Sequence, residues 1–373
     1  MSSEPKITLF TSSMDMGGAQ KMMVQIAKGL SSMGHAVEIL LLKERGPLLK
    51  TIPSEVSVVS TRANRASMCV PNLISYLLRK KPDAFLASPT SVTLPAIWAS
   101  IMSPVDTRLV LRVPTVISQN DFYKNPKSMT DHIQVGLVRS LYPYVNHYIA
   151  ISEGVKKDLQ KNIGVPSENI RVIYNPSIDD EVETKCREDV SQPLLSKSMP
   201  VIMGMGRLTP AKDFTTLIES FDTLLNFTDA RLIILGDGEK RPELESLVKT
   251  KGLESKVLLP GFVTNPFPYL READVFVLSS TWEGFANVIP EALACGTPVV
   301  STDCESGPRE ILRDGEFGEL VDVGDAGTMA EAILRALENP PNPERLKARA
   351  LDFHIKTIVP KYESALLSSS DKN

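Results

Sequence analysis

The stretch VFVLSSTWEGFANVIPEALACGTPVVST, Val275 to Thr302, reads as a strand, a loop, a helix and a second strand. Val275 to Ser279 and Val299 to Thr302 are the short apolar, β-branched runs of a sheet buried on both faces, and the segment between them is long enough for a crossover helix. Two such strands joined this way form the βαβ unit of wound α/β sheets. Glu283 and Glu291 stand eight positions apart within it, one in a glycine-containing loop and one in the helix after it. So placed, they can address different ends of one ligand. Glu291 would accept hydrogen bonds from ribose hydroxyls, Glu283 would meet a sugar, and the N–H groups around Asn287 and Val288 would face phosphates.

The alternation continues outward on both sides. Upstream in the same half come strands Val201 to Met205, Arg231 to Leu235 and Lys256 to Leu259. The first half repeats the scheme with strands Ile7 to Thr11, Ala36 to Leu42, Val56 to Ser60, Ala84 to Ala87, Leu109 to Val113 and Tyr148 to Ile151, and helices near Ala19 to Met33, Leu73 to Lys80 and Asp131 to Tyr142. Ser177 to Met199, polar and without periodicity, marks a linker. The expected organisation is a first Rossmann-like domain over 1–180, a second over 195–350, and a C-terminal helix over 351–373, interrupted at Pro360, that crosses back to the first.

With 373 residues, 42% of them hydrophobic and 23% charged, the chain is of ordinary globular composition, which excludes collagenous, coiled-coil and disordered classes. No apolar run approaches the roughly 18–20 residues that span a bilayer, and the N-terminus lacks a signal-like pattern, so a cytoplasmic protein is expected. Four cysteines without a C-x-x-C pair, and four histidines without a partner at helical spacing, suggest neither a disulfide framework nor a metal site. Up to Ile178 there are 20 Lys and Arg against 12 Asp and Glu, a balance of +8, whereas the remainder carries 21 against 33, or −12. A basic first half suits an anionic surface or acceptor, and peripheral contact with the inner face of the cell membrane is one reading of it. Nucleic-acid partners are not expected, because no RNP-type strand or basic helix stands out.

Three further motifs fall at strand ends. Gly17-Gly18 opens a helix after the first strand, where backbone can approach a phosphate, although a glycine pair equally makes a plain tight turn. Arg207 and Lys212 flank the turn after Val201 to Met205 and together suit a diphosphate, with Asp213 placed to cap the next helix. Glu305-Ser306-Gly307-Pro308 sits between a strand and a helix and reads equally as a simple helix start.

Taken together these motifs resemble the retaining glycosyltransferases of family 4, with the GT-B fold, over nearly the whole chain. That resemblance implies two Rossmann-like domains facing each other across a cleft. It further implies transfer of a hexose or N-acetylhexosamine from a UDP-sugar, without a metal or other cofactor, to a saccharide or polyprenyl-linked saccharide acceptor in surface glycan assembly. It assigns Arg207 and Lys212 to the donor diphosphate, Glu291 to the ribose and Glu283 to the transferred sugar. Gly17, Gly18, Phe285, Ala286, Asn287 and Val288 then lie along the donor, and Gly261-Phe262-Val263 near the base. Members often carry a histidine on the first domain near the sugar; here the corresponding stretch is Leu111 to Thr115 and Arg112 takes the place of an acceptor contact. A nucleotide-sugar epimerase on the same fold, a GDP-mannose-dependent mannosyltransferase and a non-catalytic sugar-nucleotide binding module are the alternatives.

Overall fold

A computed structural model of the chain describes residues 4–63, 68–188 and 199–368. It divides into two compact units, one running to Pro176 and resuming at Ile355, the other running from Ser177 to His354.

The first unit is built on a seven-stranded parallel sheet of β1 (Lys6–Thr11), β2 (Ala36–Leu41), β3 (Ser57–Ser60), β4 (Ala84–Ala87), β5 (Arg108–Val113), β6 (Tyr148–Ala150) and β7 (Ile170–Val172), in the order β3-β2-β1-β4-β5-β6-β7. Chain order reverses between β1 and β4. In a wound sheet that reversal opens a crevice at the carboxyl ends of the two strands, and the loop carrying Gly17 leaves β1 there. The helix Ile355–Leu367 completes this unit: Ile358, Val359, Tyr362 and Leu366 are buried with Met23, Ile26 and Leu30 of the Gly18–Ser32 helix. Gly29 permits the approach, since a Cβ there would stand 2.5 Å from Val359 Cγ2. The helix runs through Pro360 rather than breaking at it.

The second unit has six parallel strands, β8 (Val201–Met205), β9 (Arg231–Leu235), β10 (Val257–Gly261), β11 (Val275–Leu278), β12 (Val299–Thr302) and β13 (Glu319–Val321), in the order β10-β9-β8-β11-β12-β13. The reversal here lies between β8 and β11, the strands whose carboxyl ends lead into Arg207 to Lys212 and into Glu283.

Four elements depart from the sequence expectation. The helix Thr90–Met102 is apolar nearly all round and holds Pro95, so it shows no amphipathic period. Strands β7 and β13 have three residues each, too few for alternation to register. The expected linker begins as part of the second unit: Ile178 bridges in parallel to His354, and Val182–Cys186 is a short helix. The remainder of that expected linker, 189–198, lies outside the described residues.

Candidate functional site

Within the second unit the loops after β8, β9, β11 and β12 are stitched to one another at the carboxyl edge of the sheet. After β8, the Gly206 N–H donates to Leu235 O at 2.9 Å and the Leu208 N–H to Asp237 O at 3.0 Å. Gly236, at φ +134°, makes this possible, because a Cβ there would lie 1.9 Å from the Gly206 carbonyl oxygen. Arg207 is exposed at the head of the turn. Lys212 ends it, and Asp213 caps the Phe214–Leu224 helix by accepting from the Thr216 N–H at 3.3 Å and the Thr216 hydroxyl at 2.6 Å.

The loop after β11 folds back onto that turn. Ser279 Oγ donates to Lys212 O at 2.8 Å and the Thr281 N–H to Ala211 O at 2.9 Å, which fixes the backbone of Lys212 against the end of β11. The Lys212 ammonium is ion-paired with the Glu283 carboxylate, whose Oε1 also accepts from Ser280 Oγ at 2.7 Å. Glu283 is 8% exposed and the Lys212 side chain 22%, so the pair is largely out of water. Burial, reinforced by the Glu283 charge, pushes the neighbouring Cys304 thiol up to about 12.

The Glu305 to Pro308 stretch braces this loop. The Glu283 N–H donates to Glu305 O at 3.4 Å, and Ser306 Oγ donates to Gly284 O at 2.9 Å. Gly307, at φ +103°, passes so near Phe285 that a Cβ would stand 2.5 Å from its carbonyl oxygen. Three residues other than glycine adopt positive φ at these strand ends: Asp213 at 42°, Ala286 at 64° and Ser306 at 74°. Each such conformation costs on the order of 1–3 kcal/mol, and their concentration at one sheet edge is characteristic of a binding site held in shape by its surroundings. Beyond Ala286, Asn287 precedes the helix Val288–Cys295, and Glu291, 4% exposed, lies in its first turn. Val263 is half-buried after β10, next to Phe262, which is 58% exposed.

The second unit therefore gathers Arg207, Lys212, Glu283, Phe285, Ala286 and Asn287 on loops leaving one sheet edge, with Val288 and Glu291 in the first turn of the helix that follows. In the first unit Gly17 is extended and Gly18 begins the helix Gly18–Ser32, directly after the β1 loop. Arg112 requires a correction. Instead of facing outward from β5 it is fully buried, with Nε donating to Tyr362 Oη at 3.0 Å, one terminal nitrogen to Ser88 Oγ at 3.3 Å and the other to Asn175 Oδ1 at 2.6 Å. The reason is the sheet itself: Arg112 lies on a central strand, whose two faces are both covered. Ser279 and Ser280, which sit between β11 and Glu283, belong to the site without being singled out by any sequence motif. Hydroxyls immediately after a buried strand and before an acidic loop residue were the available signal.

Residues 16–180 match the family described as Glycosyltransferase Family 4, and residues 187–353 match Glycosyl transferases group 1. Among curated relatives, a Campylobacter jejuni N-acetylgalactosamine-N,N'-diacetylbacillosaminyl-diphospho-undecaprenol 4-alpha-N-acetylgalactosaminyltransferase is 34% identical over 252 residues, 66% of each chain. A Rhizobium meliloti lipopolysaccharide core biosynthesis glycosyltransferase is 37% identical over 54% of this chain and 56% of its own. The alignments thus span about two thirds or less of these relatives' length. Among solved structures, Anabaena HepE in complex with UDP is similar at a TM-score of 0.75 and 22% identity, over 96% of this chain and 98% of that one. A Rickettsia africae glycosyltransferase reaches 0.78 at 18% identity, over 98% and 100%. Among the described residues no group of three His, Cys, Asp or Glu is placed to hold a metal ion, and no helix is long and apolar enough to cross a membrane.

Proposed function

Since the chain belongs with the GT-B glycosyltransferases, one matched family model on each of its Rossmann-like units, we propose that it moves a hexose or N-acetylhexosamine from a UDP-sugar to a saccharide or lipid-linked saccharide in surface glycan assembly, retaining the anomeric configuration and needing no metal. The observation that carries this reading is the Lys212–Glu283 ion pair at the β8/β11 switch point, held from behind by Ser279 and Ser280. A diphosphate leaving group gathers negative charge as the bond to the anomeric carbon breaks. Lys212, held by Glu283, and the backbone N–H groups around Asn287 and Val288 are fixed positive ends on which that charge can fall without reorganisation, and the exposed Arg207 adds a second cation. Glu283 orients Lys212 and accepts from a sugar hydroxyl, while Glu291 receives the ribose and the Val263 loop the base. Gly17 and Gly18 open the first unit's own helix after β1, where backbone can approach a ligand. UDP, rather than GDP, is favoured by the HepE complexes, and a lipid-linked acceptor by the name of the Campylobacter relative.

Two measurements test the reading. Thermal midpoints across UDP, GDP, ADP and their sugar conjugates are expected to rise selectively with UDP and a UDP-sugar, since a ligand that binds only the folded state stabilises it. A shift confined to GDP would overturn the donor choice, and no shift with any of them would overturn the donor site. The second concerns peripheral membrane contact at the inner face of the cell membrane. Trp98, Ile101 and Met102 at the end of the helix Thr90–Met102, Met129 and Ile133 on the helix Met129–Leu141, and Tyr144 in the turn after it are exposed, with Lys124, Lys127 and Arg139 close in sequence to the last three. Apolar side chains flanked by cations suit an anionic lipid surface. The protein is expected to co-sediment with anionic vesicles and not with neutral ones, and an I101D/I133D variant to remain in the supernatant. Equal behaviour of variant and parent would remove this surface from the proposal.

A further inference from the structure

Two of the four cysteines lie against one another in the second unit. Cys186 ends the short helix Val182–Cys186, Cys295 ends the helix Val288–Cys295, and their sulfurs are 3.4 Å apart. The other two lie elsewhere, Cys69 in the first unit and Cys304 in the loop after β12. We propose that Cys186 and Cys295 form a dithiol that a low-molecular-weight disulfide oxidises to an intramolecular disulfide, and that the two states differ in donor affinity.

The surroundings favour one order of events. The two thiols share a hydrogen bond, Cys295 Sγ also reaches the Phe267 carbonyl oxygen at 3.7 Å, and Arg271 and Lys347 add positive charge, so the Cys186 thiol is held below its ordinary range despite burial. Cys295, half-buried and facing that sulfur, is pushed well up by the contact with Cys186 and by desolvation. Cys186 is therefore the thiolate that attacks. Its sulfur bonds to one sulfur of the small disulfide and the other half leaves as a thiolate. Cys295 then surrenders its proton and attacks the Cys186 sulfur, and the second half leaves. The protein loses two protons and two electrons, and one small disulfide becomes two small thiols. Cys69 and Cys304 are poor competitors, since burial pushes their thiols up to about 11 and about 12.

The coupling to the donor site is structural. Cys295 lies one helical turn beyond Glu291 on the same helix, and at that helix's other end Asn287 Oδ1 accepts from Ser177 Oγ at 2.9 Å. The segment Ser177 to Cys186, by which the chain enters the second unit, is thus fastened to the donor helix at one end by a hydrogen bond and poised to be fastened at the other covalently. Drawing the two sulfurs from 3.4 Å to bonding distance, about 2.05 Å, pulls the last turn of the donor helix toward Val182–Cys186.

The test is oxidation of the full-length protein with oxidised glutathione under native conditions, with subsequent thiol titration, peptide mapping and UDP titration with and without dithiothreitol. Titratable thiols are expected to fall from four to two, the mapped bridge to be 186–295, and UDP affinity to drop at least threefold and return on reduction. The variants Cys186→Ser and Cys295→Ala are each expected to block the bridge and the affinity change. Retention of four thiols, or stable mixed disulfides without a bridge, would overturn the dithiol. A bridge with unchanged UDP affinity would overturn its regulatory role. The thiol count needs no turnover, so it stands or falls separately from the proposed sugar transfer.

Discussion

Replacing Lys212 by alanine is expected to lower kcat at least about a hundredfold, with a smaller change in the donor KM. The ammonium is held where charge develops on the leaving diphosphate, and its worth is greatest in the transition state, so the loss should fall chiefly on kcat. The same substitution strands the Glu283 carboxylate, 8% exposed, with the Ser280 hydroxyl still donating to it but no counterion from Lys212. A buried charge left without its counterion is costly, so the thermal midpoint should fall as well. Activity measured well below that midpoint separates the two effects. Glu283→Gln, which keeps the shape and removes the charge, should also lose activity. Lys212→Ala combined with Glu283→Gln should lose less than the product of the single losses, because each single change already breaks the pair. Arg207→Ala should cost a comparable factor with little change in midpoint, since Arg207 is exposed. Near-normal turnover in both Lys212→Ala and Arg207→Ala would refute the phosphate clamp.

The unequal legibility of these residues has a physical origin. Strand ends such as Met205 and Leu278 are marked by short apolar runs, and in a wound sheet the topology alone carries the loop beyond a strand's carboxyl end to the ligand edge. Lys212 and Glu283, which meet in an ion pair, were therefore readable together from their strand ends. Contacts between loops distant in sequence were not. Gly236 supports the Gly206 turn through a φ of +134° and a carbonyl contact, and Gly307 supports the Glu283 loop in the same way, yet each is only one of 21 glycines in a one-dimensional string. The Cys186–Cys295 contact joins positions 109 apart. The Thr90–Met102 helix escaped for the opposite reason, having too little polar surface to leave a period.

Arg112 shows where a family resemblance misleads, and its replacement by methionine carries the second large expected effect. Its place in the stretch that corresponds to the family's first-domain sugar contact suggested an acceptor role, but β5 is flanked by β4 on one side and β6 on the other, and its inward register buries the guanidinium completely. That group joins three separate segments: Ser88 after β4, Asn175 beyond β7, and Tyr362 on the C-terminal helix. Arg112→Met keeps much of the volume but leaves these acceptors buried without their donor, at a cost of about 3–5 kcal/mol. For a unit of this size the thermal midpoint should fall by about 10 °C. Arg112→Lys should recover little, because one ammonium on a flexible stem cannot reproduce a planar fork that reaches three acceptors. Tyr362→Phe, which removes a single acceptor, should lower the midpoint by a few degrees at most. Limited proteolysis supplies a second reading, since loosening the tie to Tyr362 should expose the Ile355–Leu367 helix to early cleavage in Arg112→Met. A stable Arg112→Met protein with a raised acceptor KM would instead return Arg112 to the acceptor role that the sequence suggested.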